Sequence, residues 1–293
     1  MHNRRYVDFH THTFFSDGSF SPEQIVSAAD EISLAAVAIT DHDTLDGIPR
    51  ALAEASKYPK LKVIVGVEIS AHYAAGPMHI LGLGLDTSNA DLLKLLADMR
   101  QARESRSPRI IEKLNQIGVD ISLEEVYKHA KVSFNDGSNA AGNSNQTGVI
   151  SRVHFAQMLI KKGYVKTLKE AFDKFLGNNA PAFVEKDQLK PADVIPTLKQ
   201  AAKVVALAHP GELKYNNFAH FEEILRSLIE AGLNGIECYH SSHSDTHTRK
   251  FLELAQKYKL NITGGSDFHG LGKPTVQLGK PRTPVSVVSD LLL

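Results

Sequence analysis

Of the 293 residues, one is cysteine and none is tryptophan. A lone Cys238 cannot close an internal disulfide, which suits a reducing cytoplasm. Net charge is also missing, because 33 Lys and Arg balance 33 Asp and Glu. That excludes a globally basic surface for wrapping long nucleic acid, while leaving room for a local basic patch. No apolar run approaches the ~20 residues of a membrane span. The opening MHNRRYVDFH has no apolar core of a secretory signal, so a cytoplasmic location is expected. What the chain does have is ordinary core material, with 42% hydrophobic residues. That is enough for one large α/β domain, or for a domain carrying an insertion. It also has 14 histidines.

The histidines are not scattered. His10 and His12 follow the run Tyr6-Val7-Asp8-Phe9, and in an extended strand alternate residues share a face. Asp17 can return to them from the next loop, and imidazole with carboxylate suits Zn, Mn or Fe rather than Ca or Mg. A strand–helix alternation follows. Ser21-Pro22-Glu23 reads as a helix start with Ser21 as cap. LAAVAIT reads as a buried strand delivering Asp41-His42-Asp43. LKVIVGVEIS is a second strand, with Glu68 near its end. An acid inside a Val/Ile run rarely stays buried without a partner or a metal. A loop is expected at 72–77, and His79 then opens MHILGLGL. Later strands deliver His209-Pro210-Gly211, His240 and Ser266-Asp267-Phe268-His269. In barrels of parallel strands the site forms at the carboxyl ends. One rim would therefore carry His10, His12, Asp17, His42, Glu68, His209, Asp267 and His269. His79 precedes its apolar run, which calls for an antiparallel strand or an approach from a loop. Asp43 is expected to orient a ligand rather than to be one.

From about 119 to 181 the alternation is lost, and about 99–181 is taken as one inserted unit. Helical fragments and the polar stretch NDGSNAAGNSNQTG read as a helical insertion, with the barrel made of 1–98 and 182–293. A helix from about Asn89 is expected to break near Ser107-Pro108. Arg100, Arg103, Arg106 and Arg109 recur every three residues and spread over about half the helix circumference. Guanidinium forks suit phosphate, so Arg103 and Arg106 are candidates to reach a second phosphate. Arg152, His154 and Lys186 are further candidates. GLGKPT at 270–275 lacks the spacing of a phosphate loop and is read as a turn.

Taken together, HTHTFFSDG, ITDHDT, VGVEIS, MHILGLG, LAHPG and GGSDFH resemble, in order, the motifs of the PHP (polymerase and histidinol phosphatase) family. The resemblance covers roughly 1–87 and 182–281. It implies a distorted (β/α)7 barrel with a helical insertion that caps the substrate, and a trinuclear centre of divalent ions. Manganese is the expected ion, with iron or zinc as alternatives. By that resemblance His10, His12, Glu68 and Asp267 serve one metal. Glu68 bridges to a second held by His79 and His209, and Asp17, His42 and His269 hold the third. The implied nucleophile is a hydroxide shared between metals and held by Glu68, His79, His209 and Asp267. Three divalent ions less three carboxylates leave about three positive charges, a field suited to a phosphate dianion. The insertion resembles the branch of 3′,5′-bisphosphonucleotide phosphatases and the 5′→3′ exonuclease RNase AM. Arg152 and His154 match its Gly-Arg-Pro-His stretch, whereas Ser151 and Val153 depart from it. The implied reaction is removal of the 3′-phosphate of a nucleoside 3′,5′-bisphosphate, or 5′→3′ cleavage of short 5′-phosphorylated RNA. Histidinol-phosphate hydrolysis and a non-catalytic binding module are the alternatives. The expected partner is a small phosphorylated nucleotide or short RNA, with no long nucleic acid, membrane or protein partner.

Overall fold

The computed structural model describes residues 5–73, 75–134, 150–184 and 189–288. Lys186 and the polar stretch at 135–148 lie outside the described residues, as do the side chains of Pro77, Arg103 and 130–134.

Eight strands form one sheet: β1 (Tyr6–Asp8), β2 (Ala36–Ile39), β3 (Lys62–Tyr73), β4 (Gly76–Leu85), β5 (Ala202–Leu207), β6 (Gly235–His240), β7 (Asn261–Gly265) and β8 (Thr283–Pro284). Their order is β7-β6-β5-β4-β3-β2-β1-β8. The helices are α1 (Pro22–Glu31), α2 (Ile48–Ala55), α3 (Ala90–Gln116), α4 (Leu123–Phe134), α5 (Arg152–Lys161), α6 (Leu168–Ala171), α7 (Pro191–Ala201), α8 (Phe218–Glu230) and α9 (Asp245–Tyr258). β1, β2 and β3 pair in parallel, as do β5, β6 and β7. β4 is antiparallel to both its neighbours. It forms a hairpin with β3 that pairs as far as Tyr73 and Gly76, so the loop expected at 72–77 is mostly strand. Past Asp8 the chain turns from β8 to β7. The Phe9 N–H donates to the Gly264 carbonyl at 3.0 Å, and the Asp267 N–H to the His10 carbonyl at 2.8 Å. This seam nearly closes the sheet into a barrel, as the distorted β/α barrel reading anticipated.

Alternation along the strands fills the interior. Val7 and Phe9, Ala36 and Ala38, Leu81 and Leu83, and Val204 and Ala206 form one buried cluster. The opposite faces pack on helices, with Val67 and Ile69 joining the cluster that contains Leu198, Phe221 and Phe251. Each such side chain contributes ~1.5–3 kcal/mol of burial. Ser21 caps α1 as expected. Its hydroxyl accepts the Gln24 N–H at 3.1 Å, and Gln24 returns to the Ser21 N–H at 2.8 Å.

Contrary to expectation, α3 runs through Pro108 without a break. An interior proline costs ~3 kcal/mol. Here the helix is gripped at both ends, which offsets that loss. Leu92, Leu95, Leu96 and Met99 are buried in the barrel's core, while Ile110 and Leu114 are buried in a separate core with Phe155, Leu159 and Leu176. α3 is thus a strut shared by two cores.

Candidate metal centre

The barrel rim gathers the expected ligands. His10, His12 and Asp17 follow β1, His42 follows β2, and Glu68 lies within β3. His209 follows β5, and Asp267 and His269 follow β7. Because β4 is antiparallel, its beginning lies on the same rim as the ends of its neighbours. His79 faces Ser70 there in the register of the hairpin, which resolves its odd position in the sequence.

Glu68 is the hub and is fully buried. Its Oε1 lies 3.2 Å from His10 Nε2, 3.0 Å from His79 Nδ1 and 3.0 Å from His209 Nε2. Its Oε2 lies 3.3 Å from His12 Nε2 and 2.9 Å from His42 Nδ1. His12 Nε2 is also 3.1 Å from Asp267 Oδ1, and Asp17 is 3.1 Å from His269 Nε2. Such spacings are short, yet His10 Nε2, His12 Nε2, His42 Nδ1 and Glu68 Oε2 are buried without a hydrogen-bond partner. Buried polar atoms are ordinarily satisfied. Here they converge on common points. Sets such as His12, Asp17, His42 and His269, or His10, His12 and Asp267, offer donor atoms within 4.8 Å of one another. Imidazole and carboxylate donors in this arrangement fit divalent transition metals.

Surrounding residues fix which lone pair points inward. His10 Nδ1 is 3.1 Å from Glu237 Oε1, and His269 Nδ1 donates to the Asp267 carbonyl at 2.8 Å. Both rings therefore present Nε2 to the centre. Asp41 accepts from the N–H and hydroxyl of Thr13 and, at 2.8 Å, from the Ser16 hydroxyl, which lies 3.4 Å from His12 Nδ1. Asp43, expected to orient a ligand, accepts the Ser70 N–H at 2.9 Å and holds the backbone beside Glu68. Asp8 ties β1 to the β7 loop by accepting the Ser266 N–H and hydroxyl and the Gly279 N–H. Gly18 lets the loop double back to return Asp17, since a Cβ there would lie 2.1 Å from the His12 carbonyl oxygen. Asp267 and His209 both adopt positive φ, at 57° and 26°. Backbone strain of this kind persists where the surroundings enforce it.

Without ions the site balances itself electrostatically. Burial alone would raise the carboxyl of Glu68, but His42, His79 and His10 hold it well below the usual range. Burial is likewise overcome at Asp267 by His269 and His10, and at Asp17 by His269 and His42. Burial would lower His12, yet Asp267 and Glu68 push it up to about 9. His79, where burial dominates, falls to about 4.

A cleft of ≈ 460 Å³ opens from Asp17, His42 and His79 toward the insertion, where Arg106, Ser151, Arg152, Phe172 and Phe183 line it. Arg152 donates to the Leu176 carbonyl at 3.1 Å, with its guanidinium 5.6 Å from the Phe172 ring and 5.8 Å from the Phe183 ring. A five-residue π turn, Phe172–Leu176, carries Phe172. Arg100 is turned to the barrel instead, pairing with Asp46 at 2.6 Å. His154, expected to contact substrate, sits in the first turn of α5. Its Nδ1 accepts the Ser151 N–H at 3.0 Å as part of the α5 cap, its ring is buried, and it is not among the described residues lining the cleft.

A family profile described as the PHP domain matches residues 8–231. The chain belongs to the PHP domain family. It is similar to a 3′,5′-nucleoside bisphosphate phosphatase of Chromobacterium violaceum, 29% identical over 91% of this chain and 88% of the relative. It is likewise similar to the 5′-3′ exoribonuclease Rnm of Escherichia coli, 29% identical over 93% and 88%. Among solved structures, a candidate metal-dependent phosphoesterase from Bifidobacterium adolescentis superposes with a TM-score of 0.83 at 30% identity, covering 98% of this chain and 95% of that one. This PHP protein is a metal-dependent phosphoesterase. No helix among the described residues is long and apolar enough to cross a membrane.

The sequence reading assigned no role to Glu237, Asp41 or Lys273. Glu237 had a usable signal, an acid inside the apolar strand NGIECY, which is the argument that singled out Glu68. Lys273 sits in the stretch read as a turn and contacts Asp267 through its ammonium.

Proposed function

We propose that this PHP protein removes the 3′-phosphate of nucleoside 3′,5′-bisphosphates in the cytoplasm, and that short 5′-phosphorylated RNA, cut from its 5′ end, is a second substrate. The observation that carries the reading is the cleft that joins Asp17, His42 and His79 to Arg106 and Arg152. One end suits a phosphate at the metals, and the other suits a second phosphate on guanidinium groups. The names of the bisphosphate phosphatase and exoribonuclease relatives support it.

In this reading three divalent ions, manganese by preference, occupy the ligand sets His10, His12, Glu68 and Asp267; Glu68, His79 and His209; and Asp17, His42 and His269. Bound there, the ions supply Lewis acidity that polarises the phosphate and acidifies water. The chain's own residues do the rest. Glu68 keeps the imidazoles in register, and Glu237 holds His10 with its Nε2 inward. Arg106 and Arg152 anchor the 5′-phosphate, with Tyr73, Phe172 and Phe183 offering apolar surface between the two ends. The helices of 99–181 serve as the cap.

Histidinol phosphate would call for a carboxylate to meet its amine. Asp17 is the single carboxylate among the described lining residues, and it belongs to the metal cluster. The test is a turnover screen of the manganese-loaded protein against nucleoside 3′,5′-bisphosphates, nucleoside monophosphates, histidinol phosphate and short 5′-phosphorylated RNA. Bisphosphates are expected to give the highest kcat/KM. A preference for histidinol phosphate or for monophosphates would sink the reading.

A further inference from the structure

We propose that Lys273 is a substrate-binding residue, a fixed ammonium beside the metal centre that takes a non-bridging oxygen of the phosphate being hydrolysed. The inference rests on the phosphoesterase assignment and is independent of which phosphate ester is the substrate.

Geometry is the starting point. The two carboxylate oxygens of Asp267 face different groups. Oδ1 lies 3.1 Å from His12 Nε2 and 3.6 Å from His10 Nε2, within the ligand set those three residues form. Oδ2 contacts the Lys273 ammonium and lies 3.7 Å from His240 Nε2. An ion held by that set would draw on Oδ1 and leave Oδ2 to the ammonium. A phosphate oxygen drawn to such an ion would then meet the ammonium beside the same carboxylate. Lys273 carries three donors, and Asp267 Oδ2 engages one. The Lys273 side chain is 42% exposed while Asp267 is buried, so the cation sits at the mouth of the site.

The loop that carries Lys273 is built to hold it there. The Leu271 N–H donates to the Ser19 hydroxyl at 2.8 Å, and the Ser19 N–H to the His269 carbonyl at 3.1 Å. The Lys273 N–H donates to the Gly270 carbonyl at 3.2 Å. Gly270 has φ of 61°, and a Cβ there would lie 2.2 Å from the Ser19 hydroxyl oxygen. The segment is thus stapled to the loop that returns Asp17. A preorganised cation loses little freedom when the phosphate arrives.

The test compares wild type, Lys273→Met and Lys273→Arg, each loaded with manganese and assayed for metal content. Inorganic phosphate is titrated by calorimetry, and aryl phosphate turnover is measured alongside. Lys273→Met is expected to keep its metal and to bind phosphate at least tenfold more weakly. Its KM for aryl phosphate should rise, and Lys273→Arg should recover most of the loss. Unchanged phosphate affinity in fully loaded Lys273→Met overturns the proposal. Loss of metal from Lys273→Met, with phosphate affinity normal once metal is restored, also overturns it and makes Lys273 a positioning residue for Asp267. Failure of the nucleotide reading would look different, with aryl phosphates hydrolysed but bisphosphates not preferred, and it would leave the Lys273 comparison standing.

Discussion

Glu237 divides its carboxylate between two histidines of the candidate metal centre. Oε1 lies 3.1 Å from His10 Nδ1, and Oε2 accepts the His209 N–H at 2.7 Å. One buried acid thereby sets the tautomer of one histidine and the backbone position of another. His209 sits at a φ of 26°, a conformation that needs such support.

Glu237→Gln tests that linkage. The amide oxygen can still accept one of the two N–H groups, so the fold should survive. The charge that draws the His10 proton to Nδ1 is lost, and a partner of this kind is worth roughly 10–100-fold in metal affinity. We expect manganese affinity, measured by chelator competition, to fall by that order while the Tm of the metal-free protein changes little. Unchanged affinity would show that His10 is oriented by the barrel alone.

The sequence made most of the rim legible because its signals were local. His10, His12 and His42 directly follow apolar runs, and Ser21-Pro22 marks a helix start that the backbone adopts. Glu68 was legible as a misfit among Val and Ile, and Glu237 carried the same mark. Other features depend on neighbours distant in sequence. His79 reaches the rim only because β4 runs antiparallel, and α3 crosses Pro108 only because two cores grip it. Lys273 meets Asp267 through a loop stapled to Ser19, and no spacing rule encodes that. His154 lies in a family-like stretch, and its part in capping α5 was not read from the sequence.

The charge balance of the site gives a pH signature. His12 is raised from 6.5 to about 9 in the folded chain. Stability linked to its proton is complete below 6.5 and is lost as pH rises through 9. His79 is lowered from 6.5 to about 4, so its contribution has the opposite sign and fades as pH falls from 6.5 through 4. Metal-free protein should therefore show its highest Tm near 6.5, with a decline on the alkaline side. A metal takes the lone pair that the proton held, so loading should remove the alkaline decline and release protons at neutral pH. Calorimetry in buffers of different ionisation enthalpy would detect that release, and a buffer-independent heat would contradict the assignment.

The seam between β1 and β7 should be intolerant of bulk. A Cβ on Gly265 would lie 2.3 Å from His10 Cβ and 2.4 Å from His10 N. Gly265→Ala must push the two strands apart, at a cost of ~3 kcal/mol. For a chain of this length that corresponds to roughly 5 °C in Tm. Because His10 and Asp267 lie at the seam, metal affinity should fall as well. A variant with wild-type Tm and affinity would show that the seam has slack.

The cleft offers a separate test of substrate reading. Arg152 is held by the Leu176 carbonyl and two phenylalanine rings, so its loss mixes packing with charge. Arg106 lines the same cleft from α3 and is a second probe. Removing one charge-assisted contact costs ~1.5–3 kcal/mol, or roughly ten- to more than a hundredfold in kcat/KM. Arg106→Ala should impair nucleoside 3′,5′-bisphosphates by that order and barely affect an aryl phosphate that lacks the second group. Arg106→Lys should recover part of the loss, since a point charge replaces a fork. Screening adds a second readout, because the bisphosphate advantage should shrink as salt rises while aryl phosphate turnover holds. Equal losses on both substrates would place Arg106 in the chemical step or in the fold, and the anchoring role would then be wrong.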